Sequence, residues 1–261
     1  MPSRTRLAAA GVIAVAIAIS ATACGSGGST ASTGSSGSSG SGTTASSALA
    51  RMSADQIVQK SVADLKAASS VRITGNLVDD GQSIVLNLTD VAAQGCQGTI
   101  GLAASGSATV SAAMSGKADI IVADSIVYMK LDQAFFTNAG LPASVYTAVA
   151  GKYIKVTATS ELASFAQLCN ASNLSSAFAK EDTGFVKAGS ATINGQTVLA
   201  FKQPKNAANG AVYVSDSATP EIVRIAGSGS QGAINFTDYN APATVTAPPS
   251  AQVIDGSKFG L

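Results

Sequence analysis

The chain reads as an α+β domain built on an antiparallel sheet, and three observations carry that reading. A capping box opens one amphipathic helix, the hydrophobic period then drops from 3.6 to 2 for most of the remaining chain, and the alternating runs are joined by short polar connections. Parallel pairing would need a crossover of a dozen or more residues at each connection, so the runs are expected to form an antiparallel meander.

The helix begins at Ser53-Ala54-Asp55-Gln56, where the Ser53 hydroxyl can accept from the amide of residue 56 while the Gln56 side chain reaches back to the amide of Ser53. Ile57, Val58, Val62 and Leu65 follow on one face, and Ser69-Ser70 ends the pattern. Val71, Ile73 and Leu77 then alternate with polar residues up to a turn at Asp79-Asp80-Gly81. Strands are expected around Ile84, Leu86 and Leu88, around Cys96, Gly98 and Ile100, and around Val110, Ala112 and Met114. Residues 119–131 read as two β-rich runs hinged on Ala123-Asp124-Ser125.

Helices are expected over 142–149 and 160–180, the second N-capped by Thr159 or Ser160 and turning Leu162, Phe165, Leu168, Cys169 and Phe178 inward. Asn194-Gly195, between Thr192-Ile193 and Thr197-Val198-Leu199, is a strong two-residue hairpin signal. Further strands are expected over 211–215, 221–226 and 233–239. Pro242, Pro248 and Pro249 are expected to block ladder pairing after them.

The start of the chain is of another kind. Arg4 and Arg6 precede an uncharged apolar run, and small residues Ala21-Thr22-Ala23 lead to Cys24, which is the layout of an export signal ending in a lipobox. Cys24 is the expected lipidation site, because the acyl anchor is built on a thiol. Ala21 stands where a lipobox usually has Leu, so a plain secretory signal is the alternative reading. Residues 24–52 are rich in Gly, Ser and Thr and nearly devoid of large apolar residues, which predicts a disordered tether with a reach of about 30 Å. Residues 53–250 are expected to form one domain, and 251–261 a C-terminal tail.

Charge excludes several functions. Residues 1–23 hold two of the 16 basic residues and none of the 15 acidic ones, leaving 14 basic against 15 acidic. No basic excess marks a nucleic-acid partner. Membrane attachment would rest on the acyl anchor alone.

With Cys24 set aside, Cys96 and Cys169 form an even pair in an oxidising compartment, and a disulfide is expected; two separate buried thiols are the alternative. No metal site and no cofactor are expected. The chain has no histidine, which removes the Ser-His-Asp and Cys-His arrangements and the commonest general base near neutral pH. Neither G-x-G-x-x-G nor a P-loop occurs. Carboxylate-only catalysis stays formally open through Asp79, Asp80, Asp90, Asp119, Asp124 and Asp132, several of which sit in turn-like contexts. No catalytic residue is assigned, and the chain is not expected to be an enzyme.

Four segments carry a likeness to a known family: SADQIVQKSVADLKAASSVRITG at 53–75, ADSIVYMKL at 123–131, AVYVSDSATPEIVRI at 211–225 and INFTDYNAPATVTAPP at 234–249. In their order they resemble the LppX/LprG-type lipoproteins of actinobacteria, whose fold is similar to that of the carrier LolA. The resemblance implies a strongly curved antiparallel half-barrel with helices over its concave face, and an apolar cavity for the acyl chains of a lipid or lipoglycan. It implies carriage across the cell envelope from the outer face of the membrane, not catalysis. The candidate cavity-lining residues are Ile84, Leu86, Leu88, Val110, Met114, Ile120, Val122, Ile154 and Val156. The alternative is an envelope lipoprotein whose same residues fill an ordinary core, with an outer face serving a protein partner such as a transporter. The two differ in volume: a carrier needs a hollow of several hundred Å³, an ordinary interior does not.

Overall fold

The computed structural model describes residues 49–79, 82–104, 114–156, 161–171, 173–174, 184–204 and 210–259. The expectations for residues 1–48, Cys24 among them, for Asp80-Gly81 and for Val110 and Ala112 lie outside these residues.

The capping box forms as the sequence dictates. Helix α1 (Ala54–Ala67) starts with the Gln56 amide donating to Ser53 Oγ at 3.2 Å and the Ser53 amide donating to Gln56 Oε1 at 2.8 Å. Its apolar stripe of Ile57, Val58, Val62 and Leu65 is buried. Upstream of the cap, Leu49 is buried and Met52 packs against the same core.

The strands are β1 (Ser70–Asp79), β2 (Gln82–Val91), β3 (Gly95–Ala104), β4 (Met114–Ala123), β5 (Ile126–Leu131), β6 (Tyr153–Val156), β7 (Val186–Ile193), β8 (Gln196–Lys202), β9 (Ala211–Ser215), β10 (Ile222–Ala226), β11 (Gly232–Thr237) and β12 (Val253–Asp255). They make one open sheet in the order β12-β6-β5-β4-β3-β2-β1-β11-β10-β9-β8-β7. Two meanders, β1–β6 and β7–β11, are thus joined back to back through the antiparallel β1·β11 pair, with Ile73 opposite Phe236. Strand twist accumulates across a sheet of this width and curls it. Register shifts in β3·β4, β9·β10 and β7·β8 add local bends. So does Gly98 in β3, whose φ of +153° would force a Cβ to within 2.1 Å of the Asn87 carbonyl oxygen.

Tight turns follow their residues. Asn194 and Gly195 have φ of 51° and 78°, the left-handed pair that a two-residue hairpin demands. Asp124 and Ser125 make the same reversal between β4 and β5 with φ of 52° and 63°.

The helical pieces between β5 and β7 depart in part from expectation. Helices α2 (Gln133–Asn138) and α3 (Ala143–Val149) form, but of the α-helix expected over 160–180, residues 161–169 are a 3₁₀ segment and only 171 and 173–174 are α-helical among the described residues, Thr159, Ser160 and Phe178 lying outside them. The segment ends at Cys169, which is bonded to Cys96 in β3. A fixed crosslink and packing against β2 and β3 set its path in place of its helical periodicity.

The expected end of ladder pairing at Pro249 is also corrected. After the prolines, β12 pairs in parallel with β6, Val253 opposite Tyr153 and Ile254 opposite Ile154. The segment between runs as a strap along one end of the sheet. Asn240 Oδ1 accepts from the Ser69 amide at 2.8 Å, the Val245 amide donates to Gln94 Oε1 at 3.1 Å, and Lys152 Nζ donates to the Ala251 carbonyl at 3.1 Å. Extended chain advances about 3.1 Å per residue, so the stretch from Asn240 to Ala251 reaches roughly 34 Å, more than the roughly 24 Å across five strand spacings from β1 to β6. Proline stops the strap from pairing on the way without preventing a strand beyond it.

Candidate functional site

Alternation gives the sheet two different faces. One lateral row of the helix-covered face runs Phe236, Ile73, Leu88, Gly98, Ile120, Met129, Ile154, and the next runs Ile234, Gly75, Leu86, Ile100, Ala118, Leu131. The opposite face carries Arg72, Thr74, Asn87, Thr99, Asp119 and Lys130. There Asp119 meets Lys130 at 2.9 Å and Lys117 at 3.2 Å. Burial disfavours the Asp119 carboxylate, but hydrogen bonds and charge from the two lysines outweigh that and hold its carboxyl below the ordinary range. Lys130 also stands 4.9 Å from the centre of the Tyr153 ring.

The apolar face is covered by short elements. Helix α1 lies against β7, β9 and β10, α2 against β3 and β4, and the 3₁₀ segment against β2 and β3. Helix α2 sits very close to its strand, since a Cβ on Gly116 would fall 2.3 Å from the Phe135 nitrogen. Asp132 fixes that approach by accepting from Phe135 N at 2.7 Å, as an N-cap, and from Lys117 N of β4 at 2.9 Å. Aromatic pairs tie the cover together: Phe135 meets Phe165 edge-on with centroids 5.7 Å apart, and Phe136 meets Tyr146 at 5.4 Å.

Seven of the nine candidate lining residues come together. Leu86, Leu88, Ile120, Ile154 and Val156 are buried in one cluster, and Ile84 and Val122 pack against it. Val110 lies outside the described residues, and Met114 opens β4 with its side chain outside them. Ile73, Ile100, Met129 and Phe236 share the face and were not singled out from sequence, although the same period-2 signal marks Ile73 and Ile100. Leu86, Leu88, Ile120 and Ile154 each have 0% exposure, so in this arrangement none of them borders a void that admits a water molecule.

A cavity of about 270 Å³ does open at the end of the sheet near the strap, where α1 finishes. Leu65, Ser70, Val71, Asp90, Gly95 and Asn170 are among its walls. Asp90 was read from sequence as one carboxylate among several. It belongs instead to the apolar face, opposite Val71 of β1 and Cys96 of β3. Its Oδ2 accepts from the Ala171 amide at 2.9 Å. Burial raises its carboxyl above the ordinary range, against the pull of the Ala171 and Val91 amides. The other acidic residues are dispersed, Asp119 to the outer face, Asp132 to a cap and Asp124 to a turn; Asp79 and Asp80 have no described side chains. Among the described residues, no three of His, Cys, Asp and Glu gather as a metal would require.

Two mycobacterial proteins align with most of this chain. LprF from Mycobacterium bovis aligns over 74% of this chain and 96% of its own with 12% identity and a TM-score of 0.43. Lipoprotein LppX from Mycobacterium tuberculosis aligns over 74% and 97% with 14% identity and a TM-score of 0.41. An uncharacterized conserved protein from Thermus thermophilus aligns over 77% and 98% with 10% identity and a TM-score of 0.34. No family model matches the chain, and no curated protein matches it.

Proposed function

We propose that the chain is an exported lipoprotein, anchored through Cys24 to the outer face of the cell membrane, that holds acyl chains of a lipid or lipoglycan against the apolar face of its sheet and carries them through the envelope. The observation that carries this reading is the continuity of that face. One apolar cluster runs from β6 to β8, and among the described residues its main cover is one 14-residue helix with shorter pieces of six, seven and nine residues. A nine-residue 3₁₀ run is intrinsically weak. Displacing it would give Leu86, Leu88 and Ile100 an acyl chain in exchange for Leu162, Phe165 and Leu168. Each methylene so buried contributes about 0.8 kcal/mol, so a few chains suffice for binding without charged recognition.

The complete burial of Leu86, Leu88, Ile120 and Ile154 favours a second reading, a non-catalytic envelope module with a filled interior whose outer face serves a protein partner. Displacement of a fluorescent fatty acid from the purified full chain separates the two. Saturable uptake is expected, and it should quench on spin-labelling the 3₁₀ segment at Ser164. No uptake at micromolar protein leaves the filled module as the reading that stands.

A further inference from the structure

We propose that the cavity at the C-terminal end of α1 is a binding site for an ammonium group, a primary or quaternary amine, with Asp90 as its counterion. Four features of the cavity converge on that chemistry. The first is placement: Asp90 interrupts an otherwise apolar row that continues through Cys96, Val122, Val127 and Val156, which is a costly position for a carboxylate. The second is the lack of a charge partner. Ion pairs among the described residues engage Asp64 and Asp119, and none engages Asp90.

The third feature is the helix. Leu65, Lys66 and Ala68 are on the cavity wall at the point where α1 ends, and the closing carbonyls of a helix present partial negative charge. Carboxylate and helix end therefore act with the same sign. The fourth is the remainder of the wall. Leu65 and Val71, the latter opposite Asp90 on the same face, offer apolar contact for the methylenes or methyls of an organic ammonium. A bare divalent cation is poorly served, because among the described residues the cavity wall carries no acidic side chain besides Asp90, which falls short of the six or more oxygens such an ion gathers. A phosphate is opposed by both sources of negative charge. Lys66 also stands on the wall, exposed, and its own amine competes for the site.

The site does not depend on acyl-chain carriage, and short amines test it alone. Residue-resolved amide NMR on the purified full chain at pH 8, with ethylammonium or sodium phosphate added at matched ionic strength, provides the measurement. Ethylammonium is expected to give saturable shifts at Ala68, Val91, Gly95 and Ala171, and phosphate none. Asp90→Asn keeps an oxygen for the Ala171 amide, so the fold is retained while ethylammonium affinity falls at least tenfold. Lys66→Glu, at an exposed position, should tighten binding severalfold. Shifts that do not saturate, equal shifts with phosphate, or affinity indifferent to both substitutions overturn the proposal. Fatty-acid uptake that fails while ethylammonium still binds overturns the carrier reading only.

Discussion

The two arms of the sheet meet at β1·β11 but are covered by different means. Over β7 to β11 the cover is α1, whose capping box, apolar stripe and length are all specified within 15 consecutive residues. Over β1 to β6 the cover among the described residues is α2, α3 and a 3₁₀ segment, each too short to persist alone; α2 is tied through Asp132 to β4, α3 to α2 through Tyr146 on Phe136, and the 3₁₀ segment through Cys169 to Cys96 with Ala171 beyond it on Asp90. One arm has a cover whose form is specified by local sequence and completed by packing, and the other has a cover whose form is set by distant partners. The second kind is the one expected to open locally before the rest of the domain.

The two covers differ most at the Cys96–Cys169 disulfide. Replacing Cys96 and Cys169 by Ala frees a loop of 73 residues and should cost about 4 kcal/mol in the chain-entropy account. Thermal denaturation reads the total, and hydrogen exchange should show protection lost first over 161–171 while α1 keeps its own. Equal loss in both covers would mean that the arms are not distinct.

The opposite arm is tested by Ser53→Ala, which removes the acceptor for the Gln56 amide and should cost about 1 kcal/mol. Its exchange signature is expected in the first turn of α1 and at Gly184 and Phe185, whose amides donate to Asp55 in that turn. The 3₁₀ segment should be unaffected.

The smallest effect has the opposite sign. Asp90→Asn should raise stability at neutral pH by a few tenths of a kcal/mol, solvent screening keeping the gain well below the full cost of a buried charge. Because burial raises the folded-state carboxyl above its unfolded value of 3.8, the native state holds its proton where the unfolded chain has released it. Wild-type stability therefore gains as pH falls through the window just above 3.8 and declines as pH rises through it. Urea titrations at pH 4 and pH 7 should show that slope diminished in the Asn variant. A variant less stable than wild type at pH 7 would refute the assignment of strain to the charge.

What sequence could and could not show divides along the same line. Ser53, Gln56 and the α1 stripe, the Asn194-Gly195 hairpin, and the strands around Leu86, Leu88 and Ile120 were legible because their signals are local: a cap, a turn residue pair, a period of 2. The 3₁₀ path of 161–169 was not, since apolar spacing that suits an α-helix was overruled by the crosslink to β3 and packing on the sheet. Nor was β12, because proline forbids pairing only where it stands and the strap carries the chain past it to a strand formed about a hundred residues earlier. The place of Asp90 on the dry face follows from parity once the β2 register is known, opposite Val71. Its proximity to the end of α1 depends on the curl of the sheet, which no local pattern encodes.

The late pairing of β12 has a consequence for the order of assembly. The flank of β6 away from β5 has no neighbour until residues 253–255 have left the ribosome, so its unpaired amides and carbonyls stay adhesive while the intervening hundred or so residues are made. Growth of the sheet from that border is then forestalled by three residues delivered across the whole breadth of the first arm.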